Sequence, residues 1–238
     1  ERVGIVAVDP SSPYSGGAIL GDRIRMQAHS TDRDVFIRSL GTRGHLGGVT
    51  RSTLDVLRIL AGGGDDRLLL ETVGVGQSEL EIMQMADTVV VVLNPGTGDG
   101  IQAIKAGIME VADIFVINKS DLPGSDRLKN DIEMMLNLSC DGKTWRPPVV
   151  LTSVINNNGL AALFEKIEAH QRHLLESGQR DERRQERLRL EVWRQWEDKV
   201  LAEFEILWEA AKEKVGNFDQ ADPYDLAQML WKERFKGG

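Results

Sequence analysis

The feature that most constrains the fold is a series of short apolar runs, each followed by a polar loop and a longer amphipathic segment. The runs are nearly continuous and rich in β-branched residues, which is typical of strands covered on both faces. They occupy residues 3–8, 68–71, 88–93, 114–118 and 149–152. The amphipathic segments occupy residues 50–61, 79–85, 100–111, 126–138 and 159–175. Alternating strands and helices predict an α/β fold with a mainly parallel sheet flanked by helices.

Polar loops follow the predicted strands, and each of them contains at least one glycine. Their sequences are DPSSPYSGG, ETVGVGQSE, NPGTGDG, NKSDLPG and TSVINNNG. In an open parallel sheet, ligands bind outside the carboxyl ends of the strands. We therefore expect the five loops to converge on one edge of the sheet and to form a site there.

The composition argues against several classes of function. The 238 residues carry a formal net charge of −8, which disfavours a general nucleic-acid binder and a polybasic membrane binder. Cys140 is the single cysteine, so neither an internal disulfide nor a cysteine-rich metal site is possible. No apolar run approaches the roughly 20 residues of a membrane span. These observations favour a cytoplasmic protein in a reducing compartment.

The composition changes near residue 176, which predicts an α/β domain at residues 1–175 and a helical C-terminal extension at residues 176–238. In the extension, apolar residues recur at every fourth position and predict a long amphipathic helix. They are Leu188, Val192, Trp196, Val200, Phe204 and Trp208. This tryptophan-rich stripe suits a buried partner surface. The alternative is that the helix packs back on its own α/β domain.

The sequence Asn118-Lys119-Ser120-Asp121 directly follows a predicted strand and matches the guanine-reading N-K-x-D motif of G proteins. A carboxylate at Asp121 can accept hydrogen bonds from both N1–H and the exocyclic amine of guanine, a contact of about 1.5–3 kcal/mol. Adenine offers no such pair of donors. The stem of Lys119 can lie over the base, and Asn118 can tie neighbouring loops together. The alternative is an ordinary loop with turn-forming Asn and Asp.

An acidic residue and a glycine follow another predicted strand, in the sequence Glu71-Thr72-Val73-Gly74. This sequence is similar to the D-x-x-G motif of switch II in G proteins, with Glu in place of Asp. Glu71 can hold Mg²⁺ through a water, and the N–H of Gly74 can approach a γ-phosphate closely because glycine has no side chain. Gln77 is a candidate for orienting the attacking water. The alternative is a glycine-rich turn that leads into a helix.

Three further positions belong to the predicted site. Asp9 and Asp22 are placed to reach a magnesium–phosphate centre, although Asp22 can instead cap a helix. The pair Ser153-Val154 resembles the last guanine-contacting loop of G proteins, in which a backbone N–H approaches O6 of the base. A plain strand end is the alternative for this pair.

Taken together and in this order, six motifs resemble the MeaB/ArgK family of P-loop GTPases, which belongs to the SIMIBI class together with the nickel-insertion GTPases of hydrogenase and urease. The motifs are VDPSSPYSGGAILGDRIRM, FIRSLGTRGHLGG, ETVGVGQSE, NPGTGDGIQAIKAG, EVADIFVINKSD and WRPPVV, and they span about residues 3–175. The resemblance implies a GTPase chaperone that uses GTP/GDP and Mg²⁺. It implies a B12-dependent acyl-CoA mutase as client, methylmalonyl-CoA mutase or a relative, whose adenosylcobalamin loading the chaperone gates and which it protects.

The resemblance also assigns roles to individual residues. It makes residues 1–175 a G domain and the C-terminal helices a dimerisation arm. The magnesium-associated carboxylates of the family match Asp9, Asp22 and Glu71. The family's switch III matches the loop at residues 94–105. Within that loop we expect Asp99, Gln102 and Lys105 to contribute.

One departure from the family pattern is large, because the sequence contains no P-loop of the form G-x-x-x-x-G-K-[ST]. Gly142-Lys143-Thr144 lacks the earlier glycine and follows no predicted strand. We expect the chain to be a truncated form of a longer protein, and we expect it not to hydrolyse GTP appreciably by itself. The rival interpretation is a nucleotide-free pseudo-GTPase that serves as a scaffold. A nickel-type metallochaperone is disfavoured by the shortage of Cys and His.

Overall fold

The computed structural model describes residues 1–9, 26, 29, 31–41, 53–72, 85–96, 108–139, 144–214 and 221–234. Within these residues the strands are β1 (Val3–Asp9), β2 (Val35–Gly41), β3 (Arg67–Thr72), β4 (Val90–Leu93), β5 (Ile114–Ile117) and β6 (Val149–Leu151). The helices are α1 (Thr53–Gly62), α2 (Ile108–Val111), α3 (Ser125–Ser139), α4 (Leu160–Glu176), α5 (Gln179–Lys214) and α6 (Pro223–Arg234).

The strands form two three-stranded sheets, with the orders β2-β1-β3 and β4-β5-β6. Every strand pairing in these two sheets is parallel. The predicted α/β fold with mainly parallel strands flanked by helices is therefore confirmed. Residues 79–84 of the helix predicted at 79–85, and residues 100–107 of the helix predicted at 100–111, lie outside the described residues.

Strand β2 is an element that the sequence pattern did not predict. Its sequence, VFIRSLG, is interrupted by Arg38 and Ser39, so it lacks the continuous apolar run of the other strands. It pairs with β1 along its whole length, from Val3 opposite Val35 to Asp9 opposite Gly41. Pairing with a buried neighbour stabilises this strand at the edge of the sheet, where polar side chains are tolerated.

Strand β5 lies at the centre of its sheet, and all four of its side chains are buried. On one face, Phe115 and Ile117 belong to a core cluster that includes Ile132 and Leu136 of α3. On the other face, Ile114 and Val116 pack with Val150 and with partly buried residues of α4. Burial on both faces explains the uninterrupted apolar run at this strand. Each such side chain contributes about 1.5–3 kcal/mol when fully buried.

The other sheet has its own core cluster. Val6 and Val8 of β1 pack with Leu57 and Leu60 of α1. The core clusters of the two sheets fix strands whose carboxyl ends lead into the predicted site loops.

The chain divides into two compact units, Glu1–Arg183 and Arg184–Gly238. The division predicted at residue 176 stays a prediction, because α5 begins in the first unit and ends in the second. In the second unit, Arg234 of α6 forms an ion pair with Glu203 of α5, with Nε 2.8 Å from Oε2. Ala211 of α5 and Leu230 of α6 are both buried.

Much of the apolar stripe on α5 is exposed. Trp196 is 50% exposed and Leu188 is 59% exposed, and Val192 and Phe204 are also exposed. Two pairs of aromatic rings lie along this helix, Trp193 with Trp196 and Phe204 with Trp208. Among the helices that the structure describes, none is both long and apolar enough to cross a membrane.

Candidate functional site

The loop that follows β5 is held by backbone hydrogen bonds to its two neighbouring strands. The N–H of Asn118 donates to the carbonyl of Leu93 at the end of β4, over 2.8 Å. On the other side, the N–H of Ser120 donates to the carbonyl of Thr152 over 2.9 Å. The N–H of Thr152 in turn donates to the carbonyl of Ile117 over 2.9 Å. The loop therefore sits at the carboxyl edge of the sheet, between the ends of β4 and β6.

Side-chain hydrogen bonds join this loop to the segment after β6. The hydroxyl of Ser153 donates to Oδ1 of Asp121, and the hydroxyl of Thr152 donates to Oδ1 of Asn118 over 3.2 Å. Ser153 is buried, whereas Asp121 is exposed. One carboxylate oxygen of Asp121 is thus held by a buried hydroxyl at a solvent-accessible position. The structure brings together Asn118, Asp121 and Ser153, three of the predicted nucleotide-binding residues.

Lys119 has a backbone conformation that is uncommon for a residue with a side chain. Its φ is +56°, in the left-handed region, which costs about 1–2 kcal/mol for an L-residue. The N–H of Leu122 donates to the carbonyl of Lys119 and closes a turn before α3. The buried hydroxyl of Ser125 donates to the carbonyl of Ser120 over 3.1 Å. Strained residues held by their surroundings are concentrated at functional sites, and Lys119 fits this pattern.

The segment after β6 forms a small loop closed by two backbone hydrogen bonds. The N–H of Ser153 donates to the carbonyl of Asn158, and the N–H of Asn158 donates back to the carbonyl of Ser153. Val154, the other residue predicted in this segment, is 66% exposed. Gly159 has a φ of +80° and ends the loop immediately before α4. The loop thereby holds Ser153 against Asp121.

The predicted magnesium-associated carboxylates Asp9 and Glu71 lie on adjacent strands. Glu71 of β3 is opposite Ala7 of β1, and Asp9 is the last residue of β1. Both therefore lie at the carboxyl end of the first sheet. The Oε2 atom of Glu71 is buried and has no hydrogen-bond partner among the residues that the structure describes.

The remaining predicted site residues lie outside the described residues. They are Asp22, Gly74, Gln77, Asp99, Gln102 and Lys105. Their predicted roles in metal binding, catalysis and switch III stay predictions. In the described ranges, no cluster of three or more His, Cys, Asp or Glu side chains is placed to hold a metal ion.

Sequence reasoning missed a polar cluster at the opposite, amino-terminal edge of the second sheet. We call it the Asp113 cluster, and it comprises Thr88, Val89, Asp113, Trp145, His170 and Arg183. Asp113 immediately precedes β5 and its side chain is only 9% exposed. The sequence signal for this cluster was the position of Asp113, an acidic residue between Ala112 and a four-residue apolar strand.

The hydrogen bonds of the Asp113 cluster converge on one carboxylate. Its Oδ2 accepts from the backbone N–H of Val89 over 2.8 Å and from Nη1 of Arg183 over 3.1 Å. Its Oδ1 accepts from Nη2 of Arg183 over 2.9 Å and lies 3.2 Å from Nε2 of His170. The other ring nitrogen of His170 lies 2.9 Å from the hydroxyl of Thr88. The backbone carbonyl of Asp113 accepts from the indole of Trp145 over 2.9 Å.

These contacts determine the ionisation of Asp113. Burial alone raises the pKa of its carboxyl, but the contacts with His170 and Arg183 outweigh burial and lower the pKa from 3.8 to about 2. The same contact with Asp113 raises the pKa of Arg183. The carboxylate therefore stays ionised in the folded protein, although it is largely removed from water.

A comparison with protein families decides where the chain belongs. A family model described as "Methylmalonyl Co-A mutase-associated GTPase MeaB" matches residues 1–208. The chain belongs to the MeaB family. The resemblance inferred from the motifs is thereby confirmed, and MeaB proteins are GTPases by description.

Individual MeaB relatives agree with this assignment. A protein of Pyrococcus abyssi that is named as a GTPase is 45% identical over 99% of this chain and 75% of its own length. A protein of Mycobacterium tuberculosis, also named as a GTPase, is 40% identical over 84% of this chain and 61% of its own length. The mouse methylmalonic aciduria type A homolog, mitochondrial, is 38% identical over 86% of this chain and 50% of its own length. The chain thus spans between half and three quarters of the length of these relatives.

Proposed function

We propose that the protein of which this chain forms part is a GTP-binding and GTP-hydrolysing chaperone. Its client is methylmalonyl-CoA mutase or a related acyl-CoA mutase, which it assists in adenosylcobalamin loading and protects. The observation that carries the proposal is the Asp121 carboxylate, exposed at the carboxyl edge of the sheet and held by the buried hydroxyl of Ser153. Membership of the MeaB family supports the mutase as client.

In this proposal the base is recognised by the loops after β5 and β6. The Asp121 carboxylate accepts hydrogen bonds from N1–H and the exocyclic amine of guanine, and Lys119 covers the base. The backbone N–H of Val154 approaches O6. Because Ser153 occupies one lone pair of Asp121, the carboxylate is oriented before the nucleotide arrives, which lowers the entropic cost of binding.

We assign the magnesium ion to the carboxylates of Asp9, Asp22 and Glu71. A buried carboxylate oxygen without a described partner, such as Oε2 of Glu71, fits a site that is completed by a cation or its water. When bound, Mg²⁺ neutralises charge on the phosphate oxygens. Glu71 would hold the ion through a water, and Asp9 lies at the end of the adjacent strand.

Hydrolysis in this proposal depends on positioning, since phosphoryl transfer needs little covalent chemistry from the protein. The N–H of Gly74 donates to the γ-phosphate, and Gln77 orients the attacking water. Because the sequence contains no G-x-x-x-x-G-K-[ST] motif, we expect this stretch of chain by itself not to hydrolyse GTP appreciably.

The regions that contact other proteins are assigned as follows. The loop with Asp99, Gln102 and Lys105 is switch III and couples nucleotide binding to the client. The stripe on α5 forms a homodimer, because large aromatic residues that stay half exposed are characteristic of interfaces. Cytoplasmic location and the absence of membrane and nucleic-acid partners stay predictions.

The proposal is tested by Asp121→Asn in the complete protein, with nucleotide affinity measured by calorimetry. We expect weaker GTP binding and stronger binding of xanthosine triphosphate, whose C2 oxygen requires a donor. Asp131→Asn is the matched control, since Asp131 is also exposed but lies in α3. Unchanged GTP affinity in the Asp121 variant would refute the assignment. Absence of GTP binding by the wild-type protein would favour the nucleotide-free scaffold instead.

A further inference from the structure

Every residue of the Asp113 cluster lies in the first compact unit. The first unit ends at Arg183, and the guanidinium of this last residue makes two hydrogen bonds to Asp113 and a third, over 2.8 Å, to the carbonyl of Asp87. Helix α5 continues without a break from Gln179 to Lys214. Arg183 thus ties the start of this long helix to the sheet, and Gln179 at its first position donates a separate hydrogen bond to the hydroxyl of Thr144 over 2.8 Å.

The contacts of Asp113 fall into two groups with different consequences. Those from Val89 and Trp145 use a backbone N–H and the carbonyl of Asp113, and they join β4, β5 and the segment before β6 within the sheet. Those from Arg183 alone reach α5. Arg183 is 36% exposed, whereas the Asp113 side chain is 9% exposed. Arg183 can therefore leave the cluster while the carboxylate keeps its contacts with Val89 and His170.

We propose that Asp113 and Arg183 form an ionic joint, in which Asp113 is the positioning residue that holds the first turn of α5 and can release it without unfolding the sheet. A planar guanidinium with two parallel hydrogen bonds to a buried carboxylate is a strong and directional contact. The first turn of a helix also leaves backbone N–H groups without intrahelical partners, so it frays readily when its tertiary contacts are lost. This role is independent of guanine recognition, because the cluster lies at the opposite edge of the sheet from Asn118 and Asp121.

The experiment is hydrogen–deuterium exchange on the full chain, with the amides of residues 183–190 as the readout. These amides donate within the first turns of α5, and residues 114–117 in β5 report on the sheet. In Arg183→Met, which removes the charge and keeps the length of the stem, we expect exchange at 183–190 to be faster by about tenfold or more. Exchange at 114–117 should stay unchanged. Arg184→Met, at the next and exposed position, is the matched control and should leave both regions unchanged.

Two further variants separate the joint from a general loss of packing. Asp113→Asn keeps an acceptor for the N–H of Val89 but loses the charge, and it should also speed exchange at 183–190. Adding Arg183→Met to that variant should then have little further effect, because the two residues act through one contact. Arg183→Lys keeps the charge without the two parallel hydrogen bonds and should restore protection only in part.

Two results would overturn the joint. In the first, residues 183–190 stay protected within twofold of wild type in both single variants. In the second, protection is lost equally in residues 114–117 and 183–190, which would show that the contact supports the whole sheet. Additive effects of the two substitutions would likewise contradict a shared contact.

Discussion

Two glycines at the ends of α4 allow a sharp test of the geometry at the candidate site. Gly159 precedes the helix with a φ of +80°, and Gly178 follows it with a φ of +75°. A Cβ added at Gly159 would lie 2.0 Å from the carbonyl oxygen of Leu151, whereas a Cβ at Gly178 would meet nothing within 4 Å. Substitution by alanine therefore imposes the same backbone strain at both positions and a steric clash only at Gly159.

Backbone strain and the steric clash both lower the free energy of unfolding. The left-handed backbone conformation costs about 1–2 kcal/mol for alanine at either position. At Gly159 the carbonyl of Leu151 must also move by about 1 Å, and shifts forced by overpacking cost about 1–3 kcal/mol. We therefore expect Gly159→Ala to lower the free energy of unfolding of the first unit by about 2–5 kcal/mol. Gly178→Ala should lower it by about 1–2 kcal/mol.

The clash at Gly159 should also reach the guanine loop. Leu151 is followed by Thr152 and Ser153, the residues that hold Asn118 and Asp121. Gly159→Ala should therefore weaken GTP binding by the complete protein, and Gly178→Ala should leave it unchanged.

The assays for this pair are urea denaturation followed by circular dichroism, and calorimetry with GTP. Equal losses of stability in the two variants would refute the clash as the decisive effect. A destabilised Gly159→Ala variant with wild-type affinity for GTP would show that the loop after β6 does not hold the guanine site.

Three further outcomes are expected. Ser153→Ala removes the hydroxyl that donates to Asp121 and should weaken GTP binding about three- to tenfold by calorimetry, with recovery in Ser153→Thr; unchanged binding in the alanine variant contradicts this role. Because the folded-state pKa of Asp113 is lowered to about 2 from 3.8, its ionisation stabilises the fold above about pH 4, and about 2 kcal/mol is lost as the pH falls towards 2. The pH dependence of the free energy of unfolding, measured by circular dichroism, should differ between wild type and Asp113→Asn only in that range, and identical pH dependences would argue against it. Replacing Trp196 and Phe204 together with polar residues should give monomers in light scattering with unchanged nucleotide affinity, whereas a wild-type protein that is already monomeric at micromolar concentration excludes the dimer.

The sequence by itself was sufficient to predict the features that depend on local patterns of apolar residues and on short motifs. The apolar run at residues 114–117 is continuous because β5 is buried on both faces, so this strand could be predicted directly from the sequence. The N-K-x-D motif after this strand was interpretable because a strand end determines where the next loop emerges. Strand β2 was not predicted, since an edge strand tolerates Arg38 and Ser39 and therefore lacks a continuous apolar run.

Only the tertiary structure decided which polar side chains meet. Ser153 and Asp121 are 32 positions apart in sequence, and Asp113 and Arg183 are 70 positions apart. The sequence identified Ser153 and Asp121 as separate candidates, but neither hydrophobic periodicity nor motif spacing encodes a hydrogen bond over such distances. That contact forms because β5 and β6 are adjacent in the sheet and place both residues at the same edge. The Asp113 cluster likewise exists only because strand pairing brings Val89 beside Asp113, and because α4 and α5 place His170 and Arg183 against the carboxylate, which needs such partners when it is buried.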